Sequence, residues 1–508
     1  NRYRQALLAG HDPKAAATEA VNTSGRAVLF AGTTVMIALA GLWVLRMDFF
    51  NGLSVAAAVT VLTVMMSALW LLPALLSLLG TKALAIRMPW GRRPGTSHGE
   101  GRGWAHYGRF LQRRAWLTGA LATGLVLVLA IPVLSMRQGF TDDSGKAPGS
   151  PARIAFDLRA DGFGPGSNGP FVVVADLSKA TSPDAYATIV ATLNKTPGVA
   201  GTNPSVELLP IMGKIAHAQA AHAQDGNAQD GNAPDGNAPE TGSTIQAIAV
   251  YPTTSPQDEA TTDLLHRLRS EVNPALTAQT GALLYVGGTQ AITADFTDML
   301  ASVLPLFLVI VVGLGFVALM VLFHSLLVPL TAAVTSLLSF AASLGITVAV
   351  FQWGWLNGPL GVTGTGPIMP FLPIMVFAIL FGLSMDYQVF LVSRMHEEHV
   401  RTGDNAVAVR RGLAGSGRVV MIAAAIMTAV FAAFIPTNQA MIKLFGVALA
   451  SAVVVDAFIV RLVIVPSAMS LFGNANWWLP RWLDRILPTV HIEPGEDEIV
   501  DDQATAVR

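Results

Sequence analysis

The sequence predicts an integral membrane protein: an α-helical bundle of eight transmembrane spans interrupted by one α+β domain. Three observations carry that prediction. Hydrophobic residues make up 52% of the chain and charged residues 13%, about half the charged share of an ordinary soluble domain, so much of the surface must face lipid. Eight segments are apolar over the roughly 20 residues that a helix needs to cross a hydrocarbon core of about 30 Å. Between the third and fourth of them lies a single long polar stretch, 136–300.

The spans run over 27–45, 52–80, 115–135, 301–323, 326–351, 367–392, 419–436 and 441–472. One such segment could be a buried helix of a soluble protein; eight in one chain could not. Orientation follows from the Lys and Arg of the short loops. The 81–114 linker carries a run of them, from Lys82 to Arg114, against a single acid, Glu100. The 393–418 loop carries Arg394, Arg401, Arg410, Arg411 and Arg418, whereas 352–366 on the opposite side has no charge. The basic side is therefore cytoplasmic, together with residues 1–26 and the 474–508 tail, and 136–300 lies outside.

The chain also repeats itself. Ser24-Gly25-Arg26 matches Ser416-Gly417-Arg418, and Leu72-Pro73-Ala74 through Gly80 matches Val465-Pro466-Ser467 through Gly473. Residues 1–80 thus repeat 393–473 in the same orientation, a construction known in transporters whose working site lies at the repeat interface. The second copy is preceded by 115–392, so an equivalent stretch is expected before Asn1. On this reading 1–80 ends a first transmembrane half. The second half opens with the span 115–135 and closes with the five spans of 301–473.

Within 136–300 the runs Pro170–Ala175, Thr244–Tyr251 and Ala282–Val286 are strand-like, and Pro183–Leu193 and Asp258–Ala278 are helical, an order that suits a small α+β domain. Its 217–243 stretch contains the five-residue repeat Ala223-Gln-Asp-Gly-Asn, which fits neither a calcium loop nor a β-helix and reads as a disordered hydrophilic insertion.

Charges inside the spans are few. Asp386 lies eight residues before Arg394, which places it about 12 Å into the hydrocarbon core. A carboxylate there costs roughly 2.5–3.5 kcal/mol, so it is either neutralised by a partner or employed as a proton carrier, with the neighbouring Tyr387 able to share its hydrogen bond. Asp456 and Arg461 form a second intramembrane pair whose opposite charges suit mutual neutralisation. The first copy has Thr63 and Ala68 at those positions.

These residues resemble the resistance-nodulation-division superfamily, in its mycobacterial-membrane-protein-large (MMPL) branch. The resemblance rests on Phe381-Gly-Leu-Ser-Met-Asp386-Tyr387, Val286-Gly-Gly-Thr-Gln, Ser325-Leu-Leu-Val-Pro-Leu330 and Asp456-Ala-Phe-Ile-Val-Arg461 with Val465-Pro466. It covers the chain from Asn1 to about Pro480. It implies twelve spans in two halves, a ferredoxin-like porter domain after the first span of each half, and export of lipids or other hydrophobic metabolites driven by protons. Asp386 and Tyr387 match the family's tenth-span relay pair, with Ser384 and Phe390 beside it on the same span. The implied location is the plasma membrane, with the porter domain extracytoplasmic.

The expected partners are a hydrophobic or lipid substrate, protons and membrane lipids, with a homo-oligomer or accessory envelope proteins left open. A net charge of -1 lacks the basic excess of a nucleic-acid binder. With no cysteine, disulfides and thiolate sites are excluded. Gly95-Thr-Ser97-His-Gly99 lacks the strand-turn-helix setting of a nucleophile elbow, Gly139 to Lys146 lacks phosphate-loop spacing, and His396-Glu-Glu-His399 lacks the spacing of a zinc-protease helix. No enzyme, cofactor or metal is expected. The same architecture would also suit a lipid-sensing receptor or assembly scaffold, with Asp386 structural, or an inactive fragment.

Overall fold

The computed structural model describes residues 10–80, 102–204, 244–362 and 364–487, with Tyr3, Ala6 and Leu7 ahead of them. The Ala223 repeat and its insertion from 217 to 243, the Gly95–Gly99 stretch, the linker through residue 101 and the tail from 488 lie outside these residues. The chain divides into two compact units: Asn1–Met136, Ser302–Val350 and Phe371–Arg508 form one, and Arg137–Ala301 with Phe351–Pro370 the other.

In the first unit the first helix with both ends described is α1 (Pro13–Ala20), capped by the Asp12 carboxylate, which accepts from the Lys14 N–H at 3.3 Å. A π turn at Val21–Gly25 leads into α2 (Arg26–Ala40), and the chain reverses after Gly41–Leu45. Helix α3 (Asp48–Met66), a π segment at Ser67–Leu71 and α4 (Leu72–Leu79) form one long crossing, followed by α5 (Arg102–Arg113) and α6 (Ala115–Ala130).

The second unit holds α7 (Pro151–Phe163), β1 (Phe171–Asp176), α8 (Ala185–Lys195), β2 (Val199–Asn203), β3 (Ile245–Pro252), α9 (Glu259–Arg267), α10 (Asn273–Thr280) and β4 (Leu283–Gly287). The strands make one antiparallel sheet in the order β2-β3-β1-β4. Strand β3 thus sits between β1 and β2, which is the ferredoxin-like split βαβ arrangement. Alternate residues Phe171, Val173 and Ala175 of β1 point into a core completed by Ile189 and Leu193 of α8, Ile248 and Val250 of β3, and Leu264 and Leu276. That alternation is what a sheet covered on one face requires. The five apolar or helical runs read from the sequence fall on β1, α8, β3, α9–α10 and β4; β2 and α7 are additions.

Strand β4 is an edge, and its outward carbonyls are occupied. Arg269 Nη2 donates to Val286 O at 3.0 Å and Asn273 Nδ2 to Leu284 O at 3.5 Å, which removes acceptors that another strand could use. The segment 352–366, read from sequence as a short outer loop, belongs to this unit. Ile368 N donates to Arg137 O at 2.8 Å, and Gly139 N donates to Ile368 O at 3.0 Å.

The chain then enters α11 (Thr289–Phe323), α12 (Leu327–Phe351), α13 (Leu372–Thr402), α14 (Asn405–Ala432), α15 (Ala440–Val454), a π segment at Val455–Ile464 and α16 (Val465–Phe472). Among the described residues seven helices are long and apolar enough to cross a membrane; the first expected span, 27–45, contributes the shorter apolar stretch Gly32–Trp43. The apolar windows of α12, α13 and Ala440–Trp477 are 72%, 67% and 72% buried, against 6% for Asp48–Leu79 and 11% for Ala115–Ser135. These three therefore form the centre of the unit.

Several span ends differ from the sequence reading. Helix α11 starts at Thr289 rather than 301, α13 runs on to Thr402 rather than 392, and α14 begins at Asn405 rather than 419. The basic loop 393–418 is thus two helix ends meeting at Gly403, whose φ of +65° suits glycine. The Asp404 carboxylate restarts the helix by accepting from Ala406 N at 2.7 Å. Hydropathy marks where a helix leaves lipid, while the backbone hydrogen-bond ladder continues past that point. The tail also folds back at its start: Asn476 is 1% exposed and Leu326 N donates to Trp478 O at 3.3 Å.

The internal repeat is visible in the backbone. In both copies a π segment precedes a helix with proline at its second position, α4 with Pro73 and α16 with Pro466. Both helices end at a glycine in nearly the same strained conformation, Gly80 (φ 51°, ψ -133°) and Gly473 (φ 58°, ψ -135°). Proline has no N–H to continue the α ladder, and the π turns lie directly ahead of it.

Helices α6 and α12 approach so closely that a Cβ on Gly345 would overlap the carbonyl oxygen of Leu129, whereas one on Gly124 would meet nothing. Gly345→Ala is expected to destabilise the detergent-solubilised protein by about 1–3 kcal/mol, read as a lower midpoint of thermal unfolding by tryptophan fluorescence. Gly124→Ala should leave that midpoint unchanged or slightly raised.

Candidate functional site

The centre of the bundle contains a buried polar cluster organised by one arginine. Arg461 is 0% exposed and Asp456 2%. They stand five residues apart, which on an α-helix would point them about 140° away from each other. The π segment Val455–Ile464 shifts the pairing to i→i+5 and brings them onto one face. Arg461 Nε donates to Asp456 Oδ2 at 3.3 Å.

The other guanidinium donors reach neighbouring helices. Nη1 donates to Gln388 Oε1 of α13, and Nη2 to the hydroxyls of Ser384 on α13 and, at 3.4 Å, Ser336 on α12. Ser339 Oγ of α12 donates to Asp456 Oδ1 at 3.1 Å. A buried ion pair is tolerated only when its remaining hydrogen-bonding capacity is satisfied, and three serines and a glutamine supply that here.

Asp386 is on the other side of α13. Ser384 and Gln388, four residues apart, face Arg461, while Gly382, Asp386 and Phe390 occupy successive turns of the opposite face. A Cβ on Gly382 would touch Val35 of α2 at 3.2 Å, so this face looks toward the first repeat. Asp386 is half-buried, and its Oδ1 is shielded from solvent with no hydrogen-bond partner among the described residues. Tyr387 follows it, half-buried, and Phe390 is 38% exposed. The structure therefore brings Asp456, Arg461 and Ser384 together and leaves Asp386 apart from them. Ser384, read from sequence as a neighbour of the relay, serves Arg461 instead. A serine two residues from Asp386 on a helix necessarily points nearly the opposite way.

Gln388, Ser336 and Ser339 were not singled out from the sequence. A signal existed: Ser336, Ser339, Ser343 and Thr347 form a helical stripe of buried small polar residues through an apolar span. No group of three or more His, Asp or Glu side chains placed to hold a metal occurs among the described residues. His396 and His399 pack instead on Trp477, the latter stacked at 5.0 Å and 16°.

Outside the spans, α5 is bound to the same segment. Leu462 O lies four residues before Pro466, which lacks the N–H that an α-helix would offer it, and the Tyr107 hydroxyl donates to this carbonyl at 3.1 Å. Burial raises the Tyr107 phenol above its ordinary value, keeping it a donor.

Two like-oriented helical repeats, a split βαβ domain and ionisable groups within the spans define a multi-pass membrane protein of transporter architecture. The sequence profile of the MMPL family matches residues 1–117 and 169–492, and the chain belongs to this branch of the resistance-nodulation-division superfamily, whose members are multi-pass inner-membrane proteins. It is 38% identical over 494 residues to the membrane protein YdfJ of Bacillus subtilis (strain 168), covering 97% of this chain and 62% of that protein. It is 33% identical over 501 residues to the mycolic acid-containing lipids exporter MmpL11 of Mycolicibacterium smegmatis, covering 97% of this chain and 48% of that one. The chain thus spans about half to three-fifths of the length of these relatives. The solved structure of the hedgehog release protein Disp from the water bear Hypsibius dujardini shares the fold, with a TM-score of 0.52 at 13% identity over 88% of this chain and 58% of that one.

Removing one partner of the buried pair leaves the other uncompensated. Arg461→Ala and Asp456→Ala are each expected to cost about 3–5 kcal/mol. The double variant Arg461→Ala/Asp456→Ala should cost clearly less than the sum of the two. Thermal unfolding of the three variants checks this, and additive losses would mean that the two groups are not coupled.

Proposed function

We propose that this chain works as part of a proton-driven secondary transporter that exports a lipid or other hydrophobic metabolite across the plasma membrane. The observation that carries the reading is the contrast between the two faces of α13. Asp456 is held by Arg461 in a fixed, mutually neutral pair. Asp386 has a solvent-shielded carboxylate oxygen with no hydrogen-bond partner among the described residues, which leaves it able to take up and release a proton within the span, with Tyr387 beside it. The lipid cargo is suggested by the relative described as an exporter of mycolic acid-containing lipids.

The energetics are adequate. One proton crossing supplies about 2.3 kcal/mol per 100 mV, enough to bias an equilibrium between two arrangements of packed helices. In this reading Asp386 alternates between neutral and charged forms and Tyr387 orients it. Arg461, Asp456, Gln388 and Ser384 hold the rear of the same helix rigid. No chemical conversion of the cargo is involved.

The test is Asp386→Asn in the natural full-length protein, reconstituted in proteoliposomes with an imposed proton gradient. Gradient-dependent lipid movement should fall to background while the unfolding free energy stays within about 1 kcal/mol of the parent, since asparagine keeps the volume. Undiminished movement would remove Asp386 from the mechanism. Absence of any gradient-dependent movement in the parent would favour a lipid sensor or scaffold.

A further inference from the structure

Helix α5 uses one face entirely inside the protein. Trp104, Tyr107, Gly108 and Leu111 fall on that face at helical spacing. The Trp104 ring covers Gly417 of α14, Gly108 packs on Arg410, Leu111 is 2% exposed, and Gln112 Nε2 donates to Ala406 O. The helix is thereby fixed in orientation along α14 and α16, directly ahead of the span α6.

The opposite face has no use within the described residues. His106, Arg109, Phe110 and Arg113 are exposed along it, followed by Arg114 and Trp116. Phe110 is 51% exposed and Trp116 68%. Arg109, Arg113 and Arg114 have no acidic partner among the described residues, and the sequence from Gly101 to Phe140 contains no acid at all. Below them the exposed side chains Leu121, Leu125 and Val128 of α6 continue the surface into the membrane.

A purely solvated face would explain the arginines but not the two exposed aromatics among them. Aromatic rings at the mouth of a span, with guanidinium groups directly above, match the chemistry of the headgroup layer. The rings sit at the level of the glycerol and upper acyl chain, and the cations sit at the phosphate. We propose that the outer face of α5, through Arg109, Arg113 and Arg114 with Phe110 and Trp116, is a binding site for an anionic phospholipid of the leaflet on the basic-loop side. The occupant is a lipid rather than a soluble phosphate ester, because the cations are continuous with an apolar, lipid-facing surface. Through Tyr107, the site bears on the π segment that carries Asp456 and Arg461.

The experiment is a titration of the purified, delipidated full chain with phosphatidylglycerol, and separately with phosphatidylcholine of the same acyl chains, with bound lipid counted by native mass spectrometry. Phosphatidylglycerol should be retained more tightly. The Arg109→Gln/Arg113→Gln/Arg114→Gln variant should lose that preference by on the order of 100-fold, about fivefold per arginine, with an unchanged unfolding midpoint. Equal retention of the two lipids, or full retention by the triple variant, would overturn the proposal. Displacement by excess glycerol phosphate would also overturn it, by showing that a soluble phosphate ester suffices. If the triple variant unfolds early, Arg109→Gln alone should lose about fivefold, and no loss there would overturn it equally.

Discussion

Arg461 is fully withdrawn from solvent, and the centre of the bundle is arranged around what that charge requires. A guanidinium in such a place needs a counter-charge and acceptors for its remaining N–H groups. Asp456 supplies the first, but only because the last crossing is wound as a π-helix between Val455 and Ile464. The acceptors come from two other helices, Ser336 on α12 and Ser384 and Gln388 on α13. The packing of these three elements is therefore specified by hydrogen-bond geometry as well as by apolar contact, which in lipid does little to discriminate one helix face from another.

The same constraint gives α13 two different faces. Its rear is occupied by Arg461 and cannot rotate without breaking several buried hydrogen bonds. Its front carries Gly382, Asp386 and Phe390 toward the first repeat, with a carboxylate oxygen that has no hydrogen-bond partner among the described residues. In the proposed mechanism a rigid rear confines any reorganisation around Asp386 to one side of the helix. The first repeat has no counterpart of the pair, since Thr63 and Ala68 occupy the equivalent positions. The π segment and the following proline nevertheless recur there. The backbone device is thus common to both copies, and the charged pair is particular to the second.

The α+β unit solves a different problem by similar means. Its edge strand β4 would present free carbonyls to any passing strand, and Arg269 and Asn273 from the adjoining helices occupy them. In both units a polar side chain closes backbone groups that the regular structure leaves open. Tyr107 on Leu462 is a third instance, made necessary by Pro466.

Much of this was legible in the sequence. Apolar runs of the length of a hydrocarbon core determine spanning helices almost regardless of context, because backbone groups in lipid must be satisfied within the segment. Period-two alternation marked β3 for the equivalent reason in a half-covered sheet, whereas β1 was legible only as a short continuous apolar run. The repeat was readable because proline and glycine impose their conformations locally, and Asp386, Asp456 and Arg461 were conspicuous because intramembrane charge is costly anywhere. Helix ends were not readable from hydropathy, which changes at the lipid boundary while the hydrogen-bond ladder does not. Nor could the sequence tell which polar groups meet. Ser384 lies two residues from Asp386 yet serves Arg461, and Gln388 and Ser336 join the same guanidinium from different helices. Those pairings depend on how each helix is rotated about its axis. Only the simultaneous packing of all the helices sets that rotation, because no local interaction distinguishes one apolar face from the next.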